Sequence, residues 1–193
     1  FFLNGFVFNR IFRLRVKGLE NMPEQGPFIL TPNHVSYLDA FVVAAALGFH
    51  RLREVFWAGF TGVAFRNKFF RYISRLSRAV PVDPEKGVIS SMAFGAEVLS
   101  RGQGLIWFPE GMRSPTGRLQ PFKTGVGVLL EHYPATVIPA FIRGTERILP
   151  PGKAVPRPGR MMITFGKPLD TEYLTGKGEG EEKKDKIASA LHD

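Results

Sequence analysis

Residues 28–47 constrain the fold more than any other stretch. An apolar run, Phe28-Ile29-Leu30, ends in Thr31-Pro32, and an Ala-rich apolar run goes from Ala40 to Leu47. Between them lies Asn33-His34-Val35-Ser36-Tyr37-Leu38-Asp39. The order reads as a short buried strand, a turn, and a helix over 36–47 ended by Gly48. Apolar, β-prone runs recur at 55–58, 79–82, 104–108, 137–142 and 161–165, with helical patterns at 88–101 and 124–132. Strands alternating with helices specify an α/β fold with a largely parallel or mixed central sheet flanked by helices. Pro81 makes its strand an edge or irregular one. Upstream, Ile11, Phe12, Leu14 and Val16 alternate with Arg10, Arg13, Arg15 and Lys17, the period of a strand over 10–17 with one basic face.

His34 and Asp39 stand at the turn, five residues apart. On one continuous helix that spacing puts them about 140° apart around the axis, so they meet only if His34 lies in the loop and Asp39 in the first helical turn. Ser36 as N-cap, with Asp39 at the third helical position, permits this. A His held by a carboxylate is fixed in one tautomer and made a better base. Ser36-x-x-Asp39 is equally a capping box, and capping alone accounts for both residues.

A second polar stretch follows the 104–108 strand: Phe108-Pro109-Glu110-Gly111-Met112-Arg113-Ser114, then Pro121-Phe122-Lys123-Thr124-Gly125. A buried strand opening into a Gly-rich loop with Glu110, Arg113, Ser114 and Lys123 is where open α/β sheets bind ligands. Arg113 offers a forked donor to phosphate and Lys123 a point charge. The helix beginning near Thr124 adds backbone donors. Glu110 either orients Arg113 or accepts from a substrate hydroxyl; an internal Glu–Arg pair on a surface turn is the plainer reading.

Composition narrows the chemistry. The 193 residues suit one domain, 1–193, with a core of about 14–169 and a charged tail, or the start of a following segment, at 176–193. There is no Cys, which excludes disulfides, thiolate metal sites and a Cys nucleophile. There is no His-x-x-x-His metal pair and no Walker loop. The net charge of +9 favours anionic partners. The 18 Phe fall mostly in apolar clusters, which fits core or membrane contact better than a base-stacking platform. Within 60–76, Phe65, Phe69, Phe70 and Tyr72 alternate with Arg66, Lys68, Arg71 and Arg75; this is either an amphipathic helix for an anionic membrane surface or a surface helix packing its Phe face inward. Residues 1–9 are apolar and read as a membrane-facing helix end or as core. The chain starts Phe-Phe-Leu without Met, as a piece of a longer protein would, and no apolar run reaches the roughly 18 residues of a spanning helix. His50, His132 and His192 have no surroundings comparable to those of His34 and read as structural.

Together, Asn33-His34-x-Ser36-x-x-Asp39 and Phe108-Pro109-Glu110-Gly111-x-Arg113-Ser114 resemble the glycerolipid acyltransferase family. The resemblance runs from about Leu14 to Leu169 and takes in Pro121-Phe122-Lys123-Thr124-Gly125 and Val137-Ile138-Pro139-Ala140. It implies transfer of an acyl group from acyl-CoA or acyl carrier protein to a lysophospholipid such as 1-acylglycerol-3-phosphate. It also implies an α/β domain at the cytosolic face of a membrane, peripheral or anchored through a segment outside this chain, with no metal or bound cofactor. Residue by residue, it makes His34 the catalytic base and Asp39 its partner, and gives Glu110, Gly111 and Arg113 to the acceptor's glycerol phosphate. Met112 stands where the family usually has Thr, and Pro84 follows Val82-Asp83 where members often have an Arg linked to the acceptor phosphate; Arg78 or Lys86 are the candidate substitutes. The sequence leaves two rival readings. One is an esterase or thioesterase using the same pair with water. The other is a non-enzymatic basic module binding membrane or nucleic acid, although the family implies no nucleic acid.

Overall fold

The structure, a computed structural model, describes residues 10, 12–60, 79–82, 87–150, 152–153 and 155–192. The Phe/Arg segment after position 60, residues 1–9, Arg78, Asp83-Pro84 and Lys86 lie outside them. Seven strands form one sheet: β1 (Arg15–Lys17), β2 (Phe28–Pro32), β3 (Val55–Phe60), β4 (Ala79–Val82), β5 (Gly104–Ile106), β6 (Thr136–Arg143) and β7 (Met162–Phe165). Their order is β1-β7-β6-β2-β5-β3-β4. From β6 to β4 all neighbours are parallel, whereas β7 runs antiparallel to β6 and carries β1 parallel to itself. The sheet is therefore mixed, with a parallel centre.

Among the described residues the α-helices are α1 (Asp39–Leu52), α2 (Gly87–Ser100), α3 (Gly125–His132), α4 (Thr145–Ile148), α5 (Thr171–Lys177) and α6 (Lys183–His192). Side chains alternate along the central strands and split the core in two. Phe28, Leu30, Ile106, Ile138 and Ile142 pack with Val42, Val43 and Leu47 of α1 on one face. Ile29, Leu105 and Val137 pack with Val98 and Leu99 of α2, Leu129 of α3, Leu174 of α5 and Ile187 of α6 on the other. All five residues of β2 are buried, which is why it reads as an unbroken apolar run rather than an alternating one. The crossover through α1 leads from β2 past β5 to β3, and that through α3 leads from β5 past β2 to β6, on the opposite face. The chain thus winds away in two directions from the centre of the sheet, and such a reversal leaves a crevice at the strands' carboxyl ends.

Several local expectations change. The 10–17 alternation forms a strand only at β1, whose three residues are all exposed on the sheet edge; Arg15 and Lys17 there discourage further pairing. Helix α1 starts at Asp39 with Leu38 as N-cap, so Ser36 caps the preceding turn instead: its Oγ accepts from the Leu38 N–H at 3.2 Å. Gly48 leaves helical geometry (φ 67, ψ 173), as its lack of a Cβ allows, yet helical residues resume as far as Leu52. Pro81 does lie on an edge strand, β4. Pro139 sits inside the sheet on β6, but β7 pairs only from Ala140 onward, so no β7 ladder bond needs its missing N–H. The charged tail is ordered as α6, which buries Ile187, Ala188 and Leu191.

Candidate active site

Three adjacent parallel strands, β5, β2 and β6, deliver the polar residues from their carboxyl ends. From β2 come Asn33 and His34. Asn33 is buried and clasps β6: its amide nitrogen donates to the Ile142 carbonyl at 3.1 Å, and its amide oxygen accepts from the Ile142 N–H at 2.6 Å. This fixes where the next residue leaves the sheet.

His34 is then held on three sides. Its ring Nδ1 lies 2.9 Å from Asp39 Oδ2. Its backbone N–H donates to Glu110 Oε1 at 2.6 Å, and its carbonyl accepts from the Ser114 N–H at 2.8 Å. The ring also leans on Phe108, centroids 4.3 Å apart. The His34 side chain keeps 20% exposure while Asp39 keeps none, so the imidazole is the part of the pair that solvent or substrate reaches.

Asp39 closes the tight turn expected from the spacing. Oδ2 accepts from the Val35 N–H at 2.6 Å and the Ser36 N–H at 2.7 Å, besides the ring contact. Oδ1 accepts from the Thr145 hydroxyl at 2.7 Å. Backbone N–H groups can only donate, so Oδ2 is an acceptor in this cluster and the imidazole supplies Nδ1–H to it. Nε2 is left with its lone pair outward of that bond, the tautomer a general base needs. The same carboxylate oxygen thus both accepts the N–H groups of the turn and holds the imidazole.

The loop after β5 works differently. Glu110 is 2% exposed, and its Oε2 accepts from the Gln120 N–H at 3.1 Å and the Gln120 side-chain amide at 3.3 Å. Among the described residues its carboxylate pairs with these groups and His34, not with Arg113. Gly111 turns the chain at φ 72, with the Lys123 side chain packed against it. Ser114 is fully buried, its Oγ 3.3 Å from the Thr116 hydroxyl. Glu110 and Ser114 thus face inward and position His34, while Gly111 and Lys123 are exposed and Arg113 is half-buried. The Arg113 guanidinium stacks 3.3 Å over the Tyr37 ring, a cation–π contact joining the two loops. Between the loops is a cleft of about 300 Å³ lined by Val35, Tyr37, Met112, Arg113 and Leu149 among others. Thr124 at the start of α3 opens instead onto a depression shared with Asp185 and His192 of α6.

An imidazole oriented by a buried carboxylate, beside a loop presenting cations, has the geometry to take a proton from a hydroxyl near an anionic group. A family model described as Acyltransferase matches residues 13–143.

This chain belongs to the acyltransferase family.

It is 30% identical over 177 residues to a 1-acyl-sn-glycerol-3-phosphate acyltransferase of Saccharomyces cerevisiae, covering 87% of this chain and 55% of that protein. It is 28% identical over 163 residues to a chloroplastic 1-acyl-sn-glycerol-3-phosphate acyltransferase of Arabidopsis thaliana, covering 82% of this chain and 44% of the relative. The chain spans about half the length of these relatives. Its fold is similar to the crystal structure of the 1-acyl-sn-glycerophosphate (LPA) acyltransferase from Thermotoga maritima, with a TM-score of 0.70 and 25% identity over 90% of this chain and 66% of that one.

Sequence reasoning missed Thr145 and the grip of Glu110 on the His34 backbone. A Gly-Thr pair directly after a predicted parallel strand was the available signal for Thr145. No metal-holding cluster of His, Asp and Glu occurs among the described residues. His132 contacts the Val128 carbonyl at 3.0 Å within its own helix, and His192 packs edge-on against Phe122.

Proposed function

We propose that the chain transfers a fatty acyl group from the thioester of acyl-CoA or acyl carrier protein to the free hydroxyl of a lysophospholipid such as 1-acylglycerol-3-phosphate. The observation that carries this reading is the 2.9 Å contact between His34 Nδ1 and the buried Asp39 in a chain of the acyltransferase family. The relatives' names supply the acceptor.

An alcohol is a poor nucleophile near neutral pH. His34 Nε2 takes the hydroxyl proton as the oxygen attacks the thioester carbonyl. The new C–O bond forms, the tetrahedral intermediate collapses, the C–S bond breaks, and the leaving sulfur takes the proton from His34, which releases a thiol and restores the neutral base. Asp39 stabilises the transient imidazolium and keeps the ring in register, the part a carboxylate takes in hydrolytic triads. The nucleophile is the substrate's own hydroxyl, and Ser36 is turned away from this role because its Oγ donates to the Leu149 carbonyl at 2.9 Å. Arg113 and Lys123 bind the acceptor phosphate, with Gly111 leaving room for the Lys123 side chain that packs against it. The acceptor is an amphiphile held in a bilayer, so the site works at a membrane surface on its cytosolic side, and the +9 charge favours an anionic one.

The test is a mass-spectrometric product assay with acyl-CoA or acyl carrier protein as donor and a panel of lysophospholipids in detergent. Acylated phospholipid from one acceptor class supports the reading and names the head group. Free fatty acid as the main product with every acceptor overturns it in favour of a hydrolase.

A further inference from the structure

The family match ends at Arg143, and the loop that follows β6 holds a residue which nothing in the motifs points to. Thr145 is fully buried. Its hydroxyl donates to Asp39 Oδ1 at 2.7 Å, on the carboxylate oxygen opposite the one that serves His34. Among the described residues, Oδ2 has two backbone donors and the imidazole, whereas Oδ1 has Thr145 as its donor.

The Thr145 hydroxyl is itself fixed. Gly144 before it adopts φ 93, and a Cβ there would fall 2.2 Å from the Arg160 carbonyl oxygen, so only glycine allows this close approach. The Thr145 carbonyl accepts the Leu149 N–H at 2.9 Å, closing the single turn of α4. One turn later, the Leu149 carbonyl accepts from Ser36. The β6–α4 corner therefore touches the His34 loop at both Asp39 and Ser36.

We propose that Thr145 is a positioning residue for the His34–Asp39 pair, setting the rotation of the Asp39 carboxylate and through it the tautomer and tilt of the imidazole. A carboxylate bonded at one oxygen can turn about its Cβ–Cγ bond. Bonded at both, it presents Oδ2 to Nδ1 in one orientation. This rests on the reading of His34 as the base for acyl transfer. It adds that the base is assembled from three adjacent strands and is incomplete without the corner after β6.

The test uses Thr145→Val, which keeps the branched shape and deletes the donor, with Thr145→Ser as the conservative rescue. The expected result for T145V is a kcat lower by about 10–100-fold, the size of loss seen when an outer partner of a metal-bound histidine is removed. KM for donor and acceptor should stay within about twofold, and T145S should retain most of the activity. In ¹⁵N-histidine NMR spectra, with His34→Ala assigning the signal, the wild-type His34 resonances should show Nδ1 protonated and Nε2 bare. In T145V they should move toward a mixture of tautomers. A T145V protein with wild-type kcat and unmoved His34 resonances overturns the proposal, as does equal loss in T145V and T145S. The imidazole resonances read the coupling whether or not the chain transfers acyl groups, so failure of the functional reading and failure of this inference give different results.

Discussion

The two loops at the head of the sheet carry one buried acidic residue each, and the two are used in opposite ways. Asp39 holds the ring of His34, and Glu110 holds the backbone of the same residue. Asp39 lies five positions along the chain in the same turn, and it also accepts from the N–H groups of Val35 and Ser36 that the turn leaves unpaired. Glu110 arrives from β5, 76 positions away, and stitches the second loop to the first. The first loop directs its polar groups inward to prepare one imidazole. The second turns its carboxylate inward and leaves Lys123 exposed and Arg113 half-buried. The lesson is that a buried carboxylate next to a candidate base need not act on its ring, and a motif credited with substrate binding can also serve as the frame for the base.

Below loss of the base itself, the largest effect should come from Asp39→Asn. The amide can keep all four contacts, its oxygen toward His34, Val35 and Ser36 and its NH₂ toward Thr145, whose hydroxyl accepts as well as donates. The negative charge opposite the imidazolium is lost, and the buried Thr145 O–H loses Oδ1 as its acceptor. Steady-state assays should show kcat down by about 10²–10⁴, with a stability loss of about 1–3 kcal/mol.

Arg113→Ala should come next and should act on the other side of the comparison. Removing one charge-assisted contact to a phosphate is worth about 1.5–3 kcal/mol, or about 10–100-fold. That should appear as a raised acceptor KM with kcat kept, and an unchanged acceptor KM would remove Arg113 from the phosphate site.

Glu110→Gln sharpens the contrast between the acids. One amide oxygen cannot serve both the His34 N–H and the Gln120 N–H, so the amide NH₂ must oppose one of them in a buried place. A stability loss of about 1–3 kcal/mol by chemical denaturation should accompany a fall in kcat at constant acceptor KM. A rise in acceptor KM alone would show that Glu110 touches substrate rather than framing His34.

Gly111→Ala should have the smallest effect. The new Cβ would meet only the flexible end of Lys123, so the φ of 72 dominates, at about 1–2 kcal/mol. Denaturation of the variant should show that loss with kcat little changed, and the displaced Lys123 should raise the acceptor KM a few-fold.

How much of this was legible in the sequence follows the distance between partners. His34 and Asp39 could be paired because they share one turn, and their spacing alone required a loop–helix junction. The strand order was legible only as a class, since periodicity shows that Phe28-Ile29-Leu30 is buried but not that it lies between β5 and β6. The antiparallel return of β7 carried no local signal. Neither did Glu110 reaching the His34 N–H, and the Gly144-Thr145 pair marked a loop but not its partner Asp39, because contacts across 76 and 106 positions are created by the sheet's winding. Helix α5 was missed although Asp170 caps it, accepting from the Tyr173 N–H at 2.6 Å. The seven residues it caps are too few to show a helical period. The tail at α6 read only as a charged run, a linker or the start of a helix, because its charges mask Ile187 and Leu191, which pack on the helix-rich face of the sheet.

The measurement that reaches the centre of this mechanism is single-turnover acyl transfer by wild type and His34→Ala, at saturating donor and acceptor, with donor binding measured separately. With His34 as the base, the variant should bind donor as wild type does and form acyl ester about 10²–10⁴-fold more slowly. A variant that transfers at a rate within a few-fold of wild type would show that the proton leaves the acceptor hydroxyl by another route, and the pair formed by His34 and Asp39 would then be structural.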